Sequence, residues 1–298
     1  MLKETLMKKV TKAVITAAGL GTRMLPISYA VPKEMLPIVD VPAVFYLVEE
    51  AVKSGITDIL IITNRGKEAI ENFFDICPEY IDELVKKGKI NEAERIERIS
   101  KMANVSFIRQ GKATGLAHAV KRAEAFVGDE PFAVLYGDDI IISEYPTTKL
   151  LIDAYERYGK AAVGVKRVKR SELKKYCSLK VEAVEGDEGV SFCTDMIEKP
   201  REGEEFSDLA ILGRVLLTKE IFKEIDELTP GACGEYQLTD AMARVARRDG
   251  IYAVEFLGER YDMGSKIGFL KANTVMGLIS DETKEEYREF LRGLIDKI

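Results

Sequence analysis

The chain has 298 residues, 46% of them hydrophobic and 32% charged, a balance that fits one or two folded globular domains and excludes a disordered chain. Its 44 Lys and Arg against 50 Asp and Glu leave a formal net charge of −6, which argues against a nucleic-acid surface, because duplex binding needs clustered excess cation. Apolar runs such as 59–62 and 140–142 stop far short of the roughly 20 residues a membrane span requires, and residues 1–10 carry no signal-peptide core, so no membrane partner is expected.

In chain order, residues 12–17 predict a first strand and residues 58–63 a second, with a helix over 42–54 between them. That helix places Ala43, Val44, Leu47, Val48, Ala51 and Val52 on one face, with Pro42 at its start and Gly55 just past its end. Residues 79–102 predict two amphipathic helices broken at Gly88. Strands follow at 105–109 and 132–136, with a helix over 116–126 between them. From residue 161 the pattern shifts to strands at 161–165, 178–184, 190–198 and 209–217, and helices return over 236–248 and after Ser265. Tyr287, Phe290, Leu291, Leu294, Ile295 and Ile298 form a terminal apolar stripe, which fits either a helix docked on its own domain or a subunit contact. Strands alternating with helices predict an α/β fold, a mixed and mostly parallel sheet flanked by helices. With no linker or repeat, the expectation is a single domain over 10–298, with a helical hairpin insertion at 79–103 and a C-terminal helix at 281–297.

The four cysteines, Cys77, Cys177, Cys193 and Cys233, form no Cys-x-x-Cys pair, so neither a zinc site nor a disulfide framework is indicated, and free thiols fit a reducing cytoplasm. His118 is the only histidine and lies in a helical pattern, where it reads as a packing or supporting residue. Hydrolase triads and histidine-rich metal centres are therefore disfavoured.

The chemistry is concentrated at the ends of the strands. The first strand runs into Ala17-Ala18-Gly19-Leu20-Gly21-Thr22-Arg23, where glycines let backbone approach a ligand, amides can face anionic oxygens and Arg23 adds a cation. It is neither a Walker loop nor a dinucleotide fingerprint. Lys33, between Pro32 and Pro37, can hold an ammonium beside the same phosphates, although a Lys-Glu pair such as Lys33-Glu34 is more often solvated surface. Asp138 and Asp139 follow Gly137 at the end of a strand, where open α/β sheets bind ligands and where magnesium would take a carboxylate. Adjacent side chains in extended backbone point opposite ways, so one of the two is expected to ligate. Asp262 is a further candidate, with turn formation at Asp139 and helix capping at Asp262 as the structural alternatives. Glu198 and Lys199 close a strand with an acid and a base that can meet sugar hydroxyls and a phosphate, although such a pair taken alone is more often an ordinary strand exit.

Six motifs in order resemble the sugar nucleotidyltransferases, most closely the bacterial-type UTP:glucose-1-phosphate uridylyltransferases. They are Ala-Gly-Leu-Gly-Thr-Arg-Met-Leu-Pro (18–26), Val-Pro-Lys-Glu-Met-Leu-Pro-Ile-Val-Asp (31–40), Arg-Gln (109–110) with Gly-Leu-Ala-His-Ala-Val (115–120), Gly-Asp-Asp (137–139), Ile-Glu-Lys-Pro (197–200) and Gly-Glu-Tyr-Gln-Leu-Thr-Asp-Ala (234–241). The resemblance implies a Rossmann-like fold and uridylyl transfer from UTP to a sugar 1-phosphate, most closely glucose 1-phosphate, with Mg2+ as cofactor and a homo-oligomeric assembly. It implies that Ala18, Gly19, Gly21, Gln110 and Gly115 hold the nucleotide, with Gln110 reading the pyrimidine edge. Arg23 and Lys33 would face the triphosphate, Asp138 and Asp262 would hold magnesium, Glu198 would bind sugar hydroxyls and Lys199 the sugar phosphate.

The chain departs from the family pattern at Cys177, where a glycine is usual, and a side chain there narrows the pocket or demands a costly backbone conformation. Tyr29, Ala117, Cys233 and Asp208 are further departures. The alternatives are a related nucleotidyltransferase using dTTP or another sugar phosphate, and a non-catalytic UDP-sugar-binding regulator. A glycosyltransferase is disfavoured because Gly137-Asp138-Asp139-Ile140 lacks Asp-x-Asp spacing.

Overall fold

The protein is described from a computed structural model, in which residues 7–231, 234–295 and 297 are placed. Cys233 and Ile298, both singled out from the sequence, lie outside the described residues, as do residues 1–6.

The strands are β1 Lys12–Thr16, β2 Pro37–Ile38, β3 Val41–Pro42, β4 Asp58–Thr63, β5 Asn104–Arg109, β6 Phe132–Tyr136, β7 Asp139–Ile142, β8 Ala162–Arg167, β9 Cys177–Ala183, β10 Val190–Glu198, β11 Leu209–Leu217, β12 Ile251–Glu255 and β13 Glu259–Asp262. Nine of them form one sheet in the order β5-β4-β1-β6-β11-β8-β12-β10-β9. Pairing is parallel from β5 through β6 and between β8 and β12; the remaining neighbours pair antiparallel and β11 also pairs antiparallel with β9, so the mixed sheet has four parallel and five antiparallel pairings. β2 and β3 form a short hairpin, and β7 and β13 a separate antiparallel pair.

The helices are α1 Ala43–Lys53, α2 Glu68–Phe74, α3 Pro78–Lys86, α4 Ile90–Ser100, α5 Leu116–Lys121, α6 Glu124–Val127, α7 Thr147–Tyr158, α8 Glu220–Asp226, α9 Leu238–Asp249, α10 Lys266–Ile279 and α11 Lys284–Ile295. They cover both faces of the sheet and split the core in two. On one face Ala117, Val120, Ile221, Leu238 and Ala241 of α5, α8 and α9 pack against Val14, Val134 and Val215. On the other, Val44, Leu47, Leu151 and Ala272 of α1, α7 and α10 pack against Ile15, Ile59 and Leu135. Coverage on both sides explains why β1, β4 and β6 read as continuous β-branched and aliphatic runs instead of alternating.

The helix predicted over 116–126 divides into α5 and α6 at Arg122 and Ala123, and the helix predicted from residue 236 begins at Leu238. The insertion is a hairpin of α3 and α4, reversed at Gly88, where φ is 74°. Only Leu84 and Ala93 of the hairpin are buried, and Arg95 pairs with Asp40 at 2.5 Å to tie it to the β2–β3 turn. At the C-terminus α11 packs on α10, and the Tyr287 ring lies where any side chain at Gly277 would stand. Phe290 and Ile295 stay exposed at 60% and 72%, so the stripe is only partly used within the chain.

Candidate active site

β1 and β6 are adjacent parallel strands, so the loops leaving their carboxyl ends lie side by side, the usual position of a ligand site in such sheets. After β1, the chain makes three 3-10 turns, of which Thr22–Met24 presents Arg23 and Lys33–Met35 presents Lys33. The antiparallel pairing of β7 and β13 sets Asp139 directly opposite Asp262, and the Met263 amide donates to the Asp138 carbonyl at 2.7 Å. That register brings the side chains of Asp138 and Asp262 together from widely separated parts of the chain.

Arg23 donates to both Asp262 oxygens, at 2.7 and 3.1 Å, and the Nη2 that makes the longer of these bonds also lies 3.5 Å from Asp138 Oδ2. Lys33 Nζ donates to the same Asp138 oxygen at 2.5 Å. Gly264 leaves the space between them open: a Cβ there would stand 2.6 Å from Asp138 Oδ2 and from Arg23 Nη2, and 3.0 Å from Asp262 Oδ1. The two carboxylates therefore converge to within about 3 Å of one point. Burial opposes the charge on Asp138, but Lys33 first and then Arg23 outweigh it and hold its pKa below the ordinary aspartate value. Burial likewise opposes the Lys33 charge, and Asp138 and Glu34 together lift its pKa above the usual lysine value. Hydrogen bonding to Asp262 raises Arg23 further.

Two cavities meet at this cluster. One, of about 590 Å³, is lined by Ala18, Gly19, Gly21, Lys33, Gln110 and Gly115. The other, of about 620 Å³, is lined by Arg23, Cys177, Glu198, Arg260 and Asp262. Tyr136, Asp138, Lys199 and Leu116 border both. Of the residues expected at the nucleotide, Ala18, Gly19, Gly21, Lys33, Gln110 and Gly115 line the first cavity, whereas Arg23 lines the second beside Glu198 and Asp262, and Asp138 and Lys199 lie at the junction.

At the nucleotide end, Gly115 has φ 129°, and a Cβ there would come within 2.4 Å of the Tyr236 carbonyl, so only glycine is accommodated. At the other end, the Glu198 carboxylate accepts from Thr239 Oγ1 at 2.8 Å and lies 3.8 Å from Lys199 Nζ. Burial pushes its pKa up against both neighbours. Lys199 takes φ 49°, a strained conformation for a non-glycine residue, and its amide is held by the Tyr176 carbonyl at 2.8 Å.

Cys177 lines the cavity at 3% exposure and pairs across the ladder with Glu198. It sits in regular strand, outside the left-handed region, so the expected backbone cost is absent and only the added side chain remains. Asp208 pairs with Arg167 at 2.8 Å, Tyr29 is 91% exposed and Ala117 is buried in α5.

Several residues beside the site were not legible locally. Glu34, expected at the surface, is fully buried and accepts from Lys67 at 2.7 and 2.9 Å, clamping the Lys33 turn to α2. Asp139 turns away from Asp138 to pair with Arg260 at 2.5 Å, and burial, then Asp138, push its pKa up to about 6 against the pull of Arg260. Beneath them Arg214, 1% exposed in β11, grips Glu50 with Nε and Nη2 and donates from Nη1 to the Asp139 and Gly213 carbonyls at 2.9 and 3.0 Å. The one visible signal was an arginine inside an otherwise apolar strand.

A strand-end site with convergent acids and cations between two cavities defines a phosphate-handling α/β protein. The nucleotidyl transferase family model matches residues 12–277, and the chain belongs to that family. It is 46% identical over 290 residues to the UTP–glucose-1-phosphate uridylyltransferase YngB of Bacillus subtilis strain 168, covering 97% of each chain. A crystal structure of UDP-glucose pyrophosphorylase complexed with UDP-glucose superposes with a TM-score of 0.81 at 39% identity, over 89% of this chain and 98% of that one. The UTP-bound enzyme from Acinetobacter baumannii gives a TM-score of 0.87 at 34% identity, over 95% and 98%.

Proposed function

We propose that this chain transfers a uridylyl group from UTP to glucose 1-phosphate, releasing pyrophosphate and forming UDP-glucose. The observation that carries this reading is the division of the site into two cavities joined at Asp138, together with the relatives' shared activity over nearly the whole chain. A phosphate oxygen of the sugar phosphate attacks the α-phosphorus of UTP in line as pyrophosphate departs. That oxygen is already anionic near neutral pH, so no protein base is required, in keeping with a chain that has a single histidine.

The barrier is the approach of two polyanions, since unit charges about 4 Å apart repel by about 4 kcal/mol at an effective dielectric of 20. Lys33, in the nucleotide-side cavity, and Arg23, across Asp138 in the other, would neutralise and align the triphosphate, and Lys199, at the border of both cavities, would hold the sugar phosphate. Gln110 and Gly115 would receive the base, while Ala18, Gly19 and Gly21 present backbone to the nucleotide. Glu198, fixed by Thr239, would accept from sugar hydroxyls.

Two neighbouring carboxylates bridged by Arg23, without a closed cage of three or more such ligands among the described residues, suit a hard divalent ion that completes its shell with water and phosphate oxygens. Asp138 and Asp262 would hold it, and magnesium bound there supplies charge neutralisation at the transferring phosphoryl group. The free thiols Cys77, Cys177 and Cys193 and the absence of any membrane-length apolar helix among the described residues support a cytoplasmic location. The exposed apolar residues of α10 and α11 support a homo-oligomer.

Pyrophosphate release measured across UTP, dTTP and CTP with glucose 1-phosphate and other sugar 1-phosphates tests the reading. Selective turnover of UTP with glucose 1-phosphate is expected. Preference for dTTP or another sugar would move the chain to a related transferase, and tight UDP-glucose binding without turnover would make it a regulator.

A further inference from the structure

We infer that His118 is a positioning residue that fixes the side-chain amide of Gln110 and so sets the preference of the site for uracil over cytosine; this rests on the reading of Gln110 as the base-contacting group. Gln110 is 7% exposed at the edge of the nucleotide-side cavity. Its Nε2 lies 3.0 Å from the Gly115 carbonyl and 3.2 Å from His118 Nδ1. The Gly115 oxygen can only accept, and the backbone around it is immobilised by two bonds to Tyr236, from Ala117 N to its carbonyl at 3.0 Å and from its amide to Thr114 O at 2.9 Å.

That fixed carbonyl decides which end of the amide is which, because the flipped rotamer would set oxygen against oxygen. With the nitrogen oriented this way, His118 Nδ1 must accept the second N–H, which makes the ring the neutral Nε2–H tautomer. Both amide hydrogens are then used inside the protein. Among the described residues no donor reaches Gln110 Oε1, which is left as the end available to a ligand. A carbonyl oxygen accepts the N3–H of a uracil ring but faces a lone pair on N3 of cytosine. His118 lies behind Gln110 and does not line the cavity, so it acts on the base only through that amide.

The test compares His118→Leu and His118→Phe, which keep bulk without an acceptor, with His118→Asn, whose Oδ1 can take the place of Nδ1. Two variants lacking the acceptor keep the test standing if one fails to fold. The readout is the ratio of Kd values for UTP and CTP by calorimetry, which does not depend on turnover, with Gln110→Ala as reference. The ratio is expected to fall about tenfold in the leucine and phenylalanine variants, the factor that follows from losing one of two anchoring hydrogen bonds. It should return to within about twofold in His118→Asn, with glucose 1-phosphate KM unchanged in the His118 variants. Loss of the ratio in Gln110→Ala but not in His118→Leu or His118→Phe overturns the role of His118. An unchanged ratio in Gln110→Ala refutes base reading by Gln110, and the inference with it.

Discussion

Replacing Arg214 by Met removes the cation that supports the aspartate loop from below. In the folded chain its guanidinium reaches Glu50 at 2.7 to 3.1 Å and the carbonyls of Asp139 and Gly213 at 2.9 and 3.0 Å. Without it the Glu50 carboxylate, 9% exposed, keeps only the amide and hydroxyl of Thr148 at 2.9 and 2.7 Å. Stranding one member of a buried pair costs about 3–5 kcal/mol. At about 2.1 cal/mol/K per residue, unfolding 298 residues carries an entropy of about 0.6 kcal/mol/K, so Tm should fall by about 5–8 °C. Glu50→Met should cost a similar amount, whereas the double variant, with no buried charge, should lie within about 2 kcal/mol of wild type.

The same cycle has a pH signature. Burial alone would raise the pKa of Glu50, but Arg214 and Thr148 outweigh it and hold it below the ordinary value of 4.5. A depressed carboxylate stabilises the fold above that value and loses the contribution as pH falls through the folded pKa. The Glu50 contribution to the stability of wild type relative to the double variant should therefore decline below about pH 4.5, while Asp139, whose pKa of about 6 Arg214 also pulls down, adds a separate change nearer neutrality. Turnover should stay impaired in the double variant even where stability recovers, because the Asp139 carbonyl has lost its donor. Urea unfolding and pyrophosphate release read the two effects separately. Additive single and double variants, or a Tm for Arg214→Met within about 1 °C of wild type, would refute the reasoning.

Lys67→Met should destabilise the chain by about 3 kcal/mol, because Glu34 has no solvent exposure and, among the described residues, no other cation paired with it. It should also raise the KM for UTP by loosening the turn that carries Lys33, measured against thermal unfolding of the same variant. Gly264→Ala would place a methyl group 2.6 Å from Asp138 Oδ2 and Arg23 Nη2. Steady-state turnover should fall by about a hundredfold, the scale of an ångström misplacement of reacting groups. Tm should change little, since the cluster is partly exposed.

The parts of the fold that local pattern encodes were legible. β1, β4 and β6 announce themselves as β-branched runs, and α1 lies between Pro42 and a glycine at residue 55 with one apolar face. The cluster was legible only as separate candidates. Asp138 and Asp262 meet because β7 pairs with β13 in a particular register, and both strands are too short to show alternation. Glu34 looks solvated in sequence because its partner Lys67 lies on another element, and only the fold reveals that the pair is buried. The contact between Glu50 and Arg214 is likewise long-range, between α1 and β11, so no window of sequence contains it. Cys177 was recognisable as a departure, but its ordinary strand backbone could be read only from the structure.

In the proposed reaction Asp138 anchors the ion that lets two anions react. Pyrophosphate release from UTP and glucose 1-phosphate, titrated with magnesium for wild type and Asp138→Asn, measures it directly. The asparagine variant should remain folded while turnover falls by about a thousandfold or more at every magnesium concentration, equivalent to about 4 kcal/mol of lost transition-state stabilisation. Wild-type rates and an unchanged magnesium dependence in Asp138→Asn would contradict it.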